Sequence, residues 1–189
     1  MKLTILAIGI AVAAGLLARG RLRHLATLKV RWPLLAPVGL ALQLVSVGGR
    51  VLPLTLLYVS FALLAAFAVA NLKLPGFPLI LVGLVLNALV ISANAGMPVT
   101  RHALEASHQQ GTLTFLVDDG GAKHHLARPS DVLLPLADTI PIGGGIDQIV
   151  SPGDIATYLG LIWLIVACMR PRREADPLPG REEAVRVGV

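Results

Sequence analysis

The chain has 189 residues, 55% of them in the set AVILMFWYC and only 14% charged, with a mean hydropathy of +0.76. Soluble domains carry about a quarter of their residues as Asp, Glu, Lys or Arg, so this composition excludes a disordered, collagen-like or disulfide-built chain. It describes a membrane protein whose charge is sorted by position: Met1 to Leu104 holds nine Lys or Arg and no acid, and all eleven acids lie from Glu105 onward.

Five apolar stretches are expected to be bilayer helices: Leu3 to Ala18, Trp32 to Val47, Leu54 to Ala70, Pro78 to Ala93 and Pro152 to Met169. Each has only 16 to 18 residues, short of the about 20 that cross a hydrocarbon core, so snorkelling arginines and interfacial turns must complete the crossing. Pro33 and Pro37 weaken the start of the second stretch, which leaves a re-entrant hairpin as its alternative. Between the first two stretches, Arg21 to Trp32 reads either as a short interfacial helix with Trp32 at head-group level or as a solvated basic loop. Residues 171–189, with prolines among mixed charges, read as a disordered cytoplasmic tail.

Lys and Arg near span ends set orientation. Arg19, Arg21, Arg23, Lys29 and Arg31 mark the first connector as cytoplasmic and suit anionic lipid head groups, whereas the long segment from Asn94 to Ser151 carries the excess of acid. Together they predict an inner-membrane protein with its N-terminus outside and its C-terminus in the cytoplasm. A cleaved signal peptide over the first stretch is rejected, since cleavage would force that basic cluster across the membrane. A sequence pI near 10.0 would suggest nucleic acid in a soluble protein, but the bases flank apolar spans and no basic and aromatic readout motif exists. The expected partners are the lipid bilayer and a membrane-protein partner or second copy of this chain. The single cysteine, Cys168, lies in an apolar run and excludes a disulfide framework.

Several strings stand out: GLLARGRLRHLATLKVRWP over Gly15 to Pro33, Asn87 followed by Asn94-Ala95-Gly96-Met97-Pro98-Val99, Leu136-Ala137-Asp138-Thr139-Ile140-Pro141, and Ser151-Pro152-Gly153-Asp154-Ile155. Through them the chain resembles, over roughly Gly15 to Met169, a family of small bacterial multi-pass membrane proteins known only as a domain of unknown function. That resemblance implies a membrane protein and carries over no catalytic residue.

The candidate outer-site polar residues are Asn87, Asn94, His124, His125, Asp138 and Asp154. Ser151 and Asp154 fit a capping box, with Pro152 at the first helical position. Asn87 and Asn94, seven apart, either bond neighbouring helices or line an outward pocket, and Asn94 also suits a left-handed cap. Ala7, Ala11 and Gly15, and likewise Ala62 and Ala66, form small-residue stripes for close helix packing. Thr112 to Val117 and Lys123 to Ala127 are expected to pair as a hairpin around Asp118-Asp119-Gly120-Gly121. Val132 to Ile142 is expected to lie over the bundle as a lid, in which an unpaired Asp138 would be costly. His24 has no partner in its local sequence. No metal site is expected, because the histidines lack ligand spacing and adjacent His124 and His125 turn apart. No cofactor motif is present either.

The expected fold is therefore all-α, five spans in one membrane domain over residues 1–170, with an extracytoplasmic segment between the fourth and fifth. The role read from it is a non-catalytic membrane component or a module binding small molecules or lipid. The rivals are a membrane-embedded enzyme using Asp138, Asp154 and His124 or His125, and a small transporter subunit, which the scarcity of acids within spans weakens.

Overall fold

A computed structural model describes residues 2–45, 49, 51–118 and 120–170. The proposed tail, Val47 at the end of the second stretch, Arg50, and Asp119 in the expected hairpin turn lie outside the described residues. The molecule is mostly helical, with α1 (Lys2–Leu17), α2 (Leu35–Leu44), α3 (Val51–Ala70), α4 (Phe77–Asn94), α5 (Arg101–Ala106), α6 (Gln110–Asp118) and α7 (Pro152–Met169). Four three-residue strands, β1 (Met97–Val99), β2 (His124–Leu126), β3 (Ile140–Ile142) and β4 (Gln148–Val150), belong to the segment between α4 and α7.

Three helices, α3, α4 and α7, are long and apolar enough to cross a membrane, and only 22–28% of their apolar windows is buried inside the protein. A helix apolar on all sides yet this uncovered needs a nonaqueous surrounding. The first and second stretches form shorter apolar helices. The second is the larger departure, since α2 has ten residues and rises only about 15 Å, half a hydrocarbon core. Trp32 sits in the left-handed region at φ 53° and Pro33 follows it, so the chain turns before the helix begins.

Packing runs from α1 to α7 to α4 to α3 to α2. Ala7, Ala11 and Gly15 are the buried face of α1 and lie along α7. The third-helix stripe differs from expectation: Ala62 is exposed and Ala66 half-buried, while Ala68 and Ser60 carry the contacts. Ser60 Oγ donates to the Gly39 carbonyl at 2.7 Å and accepts from Gln43 Nε2 at 2.9 Å, which ties α2 to α3. Here an internal hydroxyl and amide satisfy each other where no water would.

The helix ends sort into two faces. At the basic end, Arg21 N donates to the Met169 carbonyl at 2.8 Å, His24 Nδ1 lies 3.0 Å from the same oxygen, and Asn71 bonds both backbone groups of Arg31. His24 thus has a partner 145 residues away, one its local sequence could not reveal. Arg21 to Trp32 contains a 3-10 turn, Leu22–Thr27, in place of a longer interfacial helix. Arg19, Arg21, Arg23, Lys29, Arg31, Lys73 and Arg170 are all exposed at this end, and none of its described residues is an acid.

At the opposite end the segment between α4 and α7 folds over the helices with its own core, Val99, Leu104 and Leu116. The expected hairpin does not form. Residues 110–118 are helical, because Leu113 and Leu116, one turn apart, pack on Val99, Leu104 and Leu126. β2 pairs in parallel with β1 instead, Met97 opposite His124. The hairpin is β3 with β4, antiparallel, across Gly143-Gly144-Gly145; Gly144 and Gly145 take φ of 71° and 88°, values that suit glycine. Ala137, with Leu136 beside it, packs on Leu57, Val90 and Ile91, so Val132 to Ile142 covers the ends of α3 and α4. The N-terminus of α1 reaches the same face, where Lys2 Nζ donates to the Gly145 carbonyl and Leu3 N to Gln148 Oε1.

Candidate functional site

Two polar constellations occupy the end of the bundle that carries the long segment. The first is built on the start of α7, where amide donors have no intrahelical acceptor. Ser151 Oγ accepts from Asp154 N at 3.0 Å, and Asp154 Oδ2 accepts from Ser151 N at 3.1 Å, so both halves of a capping box are present. Asn87 on α4 closes the ring: its Nδ2 donates to Asp154 Oδ1 and its Oδ1 accepts from Ser151 Oγ, each at 2.8 Å. Both carboxylate oxygens of Asp154 are therefore engaged by neutral donors, and the cap also fastens α4 to α7.

Asn94 belongs elsewhere. Its Nδ2 donates to the Val132 carbonyl at 3.0 Å and its Oδ1 accepts from Val132 N at 2.8 Å. That stitches the end of α4 to the covering loop, and Asn94 does not join Asn87 on one pocket wall. The left-handed cap is Ala95, at φ 50°, with Gly96 following at φ 142°.

The second constellation is Asp138 with His124. Asp138 is held by backbone alone: its N–H donates to the Pro98 carbonyl at 3.1 Å and its carbonyl accepts from Thr100 N at 3.2 Å. β1 therefore has β2 on one edge and Asp138 on the other. On a strand, successive side chains alternate. His125 turns inward, where its Nε2 lies 3.0 Å from Asp131 Oδ2, and that oxygen also accepts from Arg128 N at 2.8 Å. His124 turns the other way, and its Nε2 is 3.7 Å from Asp138 Oδ2. Beyond that contact the Asp138 carboxyl has little: it is 8% exposed, and Oδ1 is fully buried without a hydrogen-bond partner among the described residues.

Burial, reinforced by the nearby Asp154 carboxylate, pushes the Asp138 carboxyl up to about 8. Burial likewise lowers the pKa of His124, with Asp154 opposing and Lys123 and His125 assisting. Since 54% of the His124 side chain is accessible, water tempers that burial. At neutral pH both groups are neutral, so the 3.7 Å contact is not an ion pair, and it is too long for a hydrogen bond.

Asp138 and His124 line a cavity of about 500 Å³. It lies between this segment and the ends of α2 and α3, with Val45, Pro53, Phe115 and Leu116 as apolar wall and Lys123 and Asp147 as further charges. Lys123 was not singled out by sequence reasoning. Its Nζ donates to the carbonyls of Gln43 and Val45 at 2.6 and 2.9 Å, a cation closing the C-terminus of α2. Asp131, the partner of His125, is one of several acids in the long segment, and a spacing of six residues carries no local signal for the pairing. Of the sequence candidates, the structure brings His124 and Asp138 to the cavity, sets Asp154 and Asn87 behind it, and uses His125 and Asn94 elsewhere. Among the described residues no three His, Cys, Asp or Glu side chains are placed to share a metal ion.

The sequence model of a family of unknown function, DUF5317, matches residues 27–166. An uncharacterized protein of Thermotoga maritima is 33% identical over 121 residues, a match covering 62% of this chain and 66% of that protein. No solved structure matches.

Proposed function

We propose, given that the chain belongs to the DUF5317 family of unknown function, that it is a multi-pass protein of the inner membrane which binds a small molecule in an outward-facing cavity. One observation carries this reading: a buried carboxyl, Asp138, with an oxygen that no described residue satisfies, on the wall of a cavity of about 500 Å³. An unsatisfied buried acceptor costs about 1–3 kcal/mol, and a bound ligand is one way to recover it. The cavity is of the size that small-molecule sites have, with apolar walls and few polar groups.

In this reading α1, α3, α4 and α7 cross the bilayer as helices, and α2 with the turns around it makes the fifth crossing, from Arg31 on the basic face to Val45 beside Lys123 on the other. The connector after α1 and residues 71–76 face the cytoplasm, and the segment between α4 and α7 faces out. The two faces into which the helix ends sort, one wholly basic among its described residues, support that orientation. Its test is labelling in intact cells after Cys168→Ser. Thr112→Cys is expected to react with a membrane-impermeant maleimide, and Lys73→Cys only after permeabilisation. The reverse pattern rejects the orientation.

Thr112 is exposed on α6 and lines the cavity, so Thr112→Phe fills it from the surface. We expect a thermal-shift screen of the purified protein to find compounds that stabilise the parent, and Thr112→Phe to lose that response while its own melting temperature stays within a few degrees. A screen that stabilises neither, or both equally, rejects the binding module.

An enzymatic reading rests on the 3.7 Å approach of His124 to Asp138, with His124 as general base. A protonated Asp138 orients such a base poorly, and this ranks the reading second. His124→Gln would separate the two by abolishing turnover while leaving ligand-induced stabilisation intact.

A further inference from the structure

The cavity's chemistry narrows the ligand class, and this step rests on the binding reading above. We infer that the cavity takes an amphipathic amine, its ammonium head on the Asp138 carboxyl and its apolar chain along Val45, Pro53 and Phe115 toward the bilayer.

The head group follows from charge and donors. Asp138 Oδ1 is buried and lacks a donor among the described residues, and Asp147 lines the same cavity. Asp154, close enough to act on Asp138 electrostatically, has both oxygens occupied by Asn87 Nδ2 and Ser151 N, neither of them a cation. The one lysine among the described lining residues, Lys123, spends its ammonium on the carbonyls of Gln43 and Val45. His124 is held neutral. Lys123 therefore balances Asp147 in charge but gives no donor to Asp138, and an ammonium supplies both the donors that the buried oxygen lacks and the charge that favours the ionised carboxyl.

The chain follows from the wall. Phe115 lines the cavity and yet is 53% exposed, and Val45 lines it and is 37% exposed. Together with the exposed Leu40 and Leu44 of α2 they extend an apolar surface from the membrane-facing helices into the cavity. A ligand already dissolved in the outer leaflet could slide in without crossing water.

Binding an ammonium ionises Asp138, and its proton leaves to bulk solvent. Affinity for an alkylamine, which stays protonated throughout, is therefore expected to rise with pH and level off near 8. His124 and Asp154 act on Asp138 directly, and Lys123 and Asp147 line the same cavity; of these, His124 gains charge on acidification and weakens amine binding in the same direction.

The test uses the purified full-length protein in a maltoside detergent and four probes: octylamine, octanol, octanoate and methylamine. The expected result is octylamine binding at least tenfold tighter than each of the other three, with Asp138→Asn and Thr112→Phe each removing most of that difference. Octanol or octanoate binding as well as octylamine overturns the amine assignment and leaves the binding module standing. Methylamine matching octylamine overturns the amphipathic part. Octylamine affinity that is the same in both variants as in the parent places the amine outside this cavity and rejects the proposal. Failure of all four probes, alongside a thermal-shift screen that stabilises nothing, rejects the module itself.

Discussion

At pH 8, Asp138→Asn unfolds at a higher temperature than the parent protein, and the gap closes as the pH falls towards 4. The cause is linkage. The unfolded chain releases this proton near the ordinary value of 3.8, whereas the folded protein retains it up to about 8. Between those values the folded state binds more protons than the unfolded state, so raising the pH lowers stability, by up to about 1.4 kcal/mol per pH unit for one group. The contribution is fully present below the unfolded pKa and is lost as pH rises through the folded one. Asparagine has the same shape and no proton to lose. His124, with its pKa lowered below 6.5, has the opposite effect in acid, and taking the difference between parent and Asp138→Asn largely cancels it. Thermal unfolding in detergent at several pH values is the measurement. Parallel curves for the two proteins would show that the folded state holds Asp138 as a carboxylate, and the neutral carboxyl on the cavity wall would be wrong.

Gly83→Ala is expected to cost about 1–3 kcal/mol or more and to lower the amount of folded protein sharply. α4 and α7 approach so closely that a methyl group at Gly83 would meet Thr157 Oγ1 and the Gly153 carbonyl, and one at Gly153 would meet Asn87 Oδ1. Further along the same seam, a methyl group at Gly160 would lie 2.7 Å from the Gly76 carbonyl. Backbone atoms cannot swing aside, so the helices would have to separate, which would break the Asn87 bonds to Ser151 and Asp154 as well. Gly9→Ala in α1 is the control, since nothing among the described residues lies within 4 Å of the added atom apart from the helix itself. Replacing an interior helical glycine there should stabilise by about 0.5–1 kcal/mol. Equal effects at Gly83 and Gly9, read from detergent-solubilised yield and melting, would show that the α4–α7 seam is looser than described.

Hydropathy and charge order are properties of short windows, which is why the long apolar helices, the sorting of Lys and Arg to one end, and the cap at Ser151 and Asp154 can be read from the chain alone. A capping box spans four residues, and a bilayer helix is apolar whatever its neighbours are. α2 shows where such reading stops: its stretch is as apolar as the others, but the turn at Trp32 and Pro33 delays its start, and Lys123, 80 residues from Gln43, closes its end. The run Thr112 to Val117 carries β-branched residues and precedes a strong turn signal, yet it is helical because Leu113 and Leu116 meet Val99, Leu104 and Leu126 only on that period. The sequence presents His124 and His125 side by side as site residues, and strand alternation sends His125 to Asp131 and His124 to the cavity. The cavity itself, the ring through Asn87, and the unsatisfied oxygen of Asp138 exist only once segments tens of residues apart are packed together. Pairings at that separation leave no local periodicity; they are decided by which buried donors and acceptors can meet when the whole chain closes.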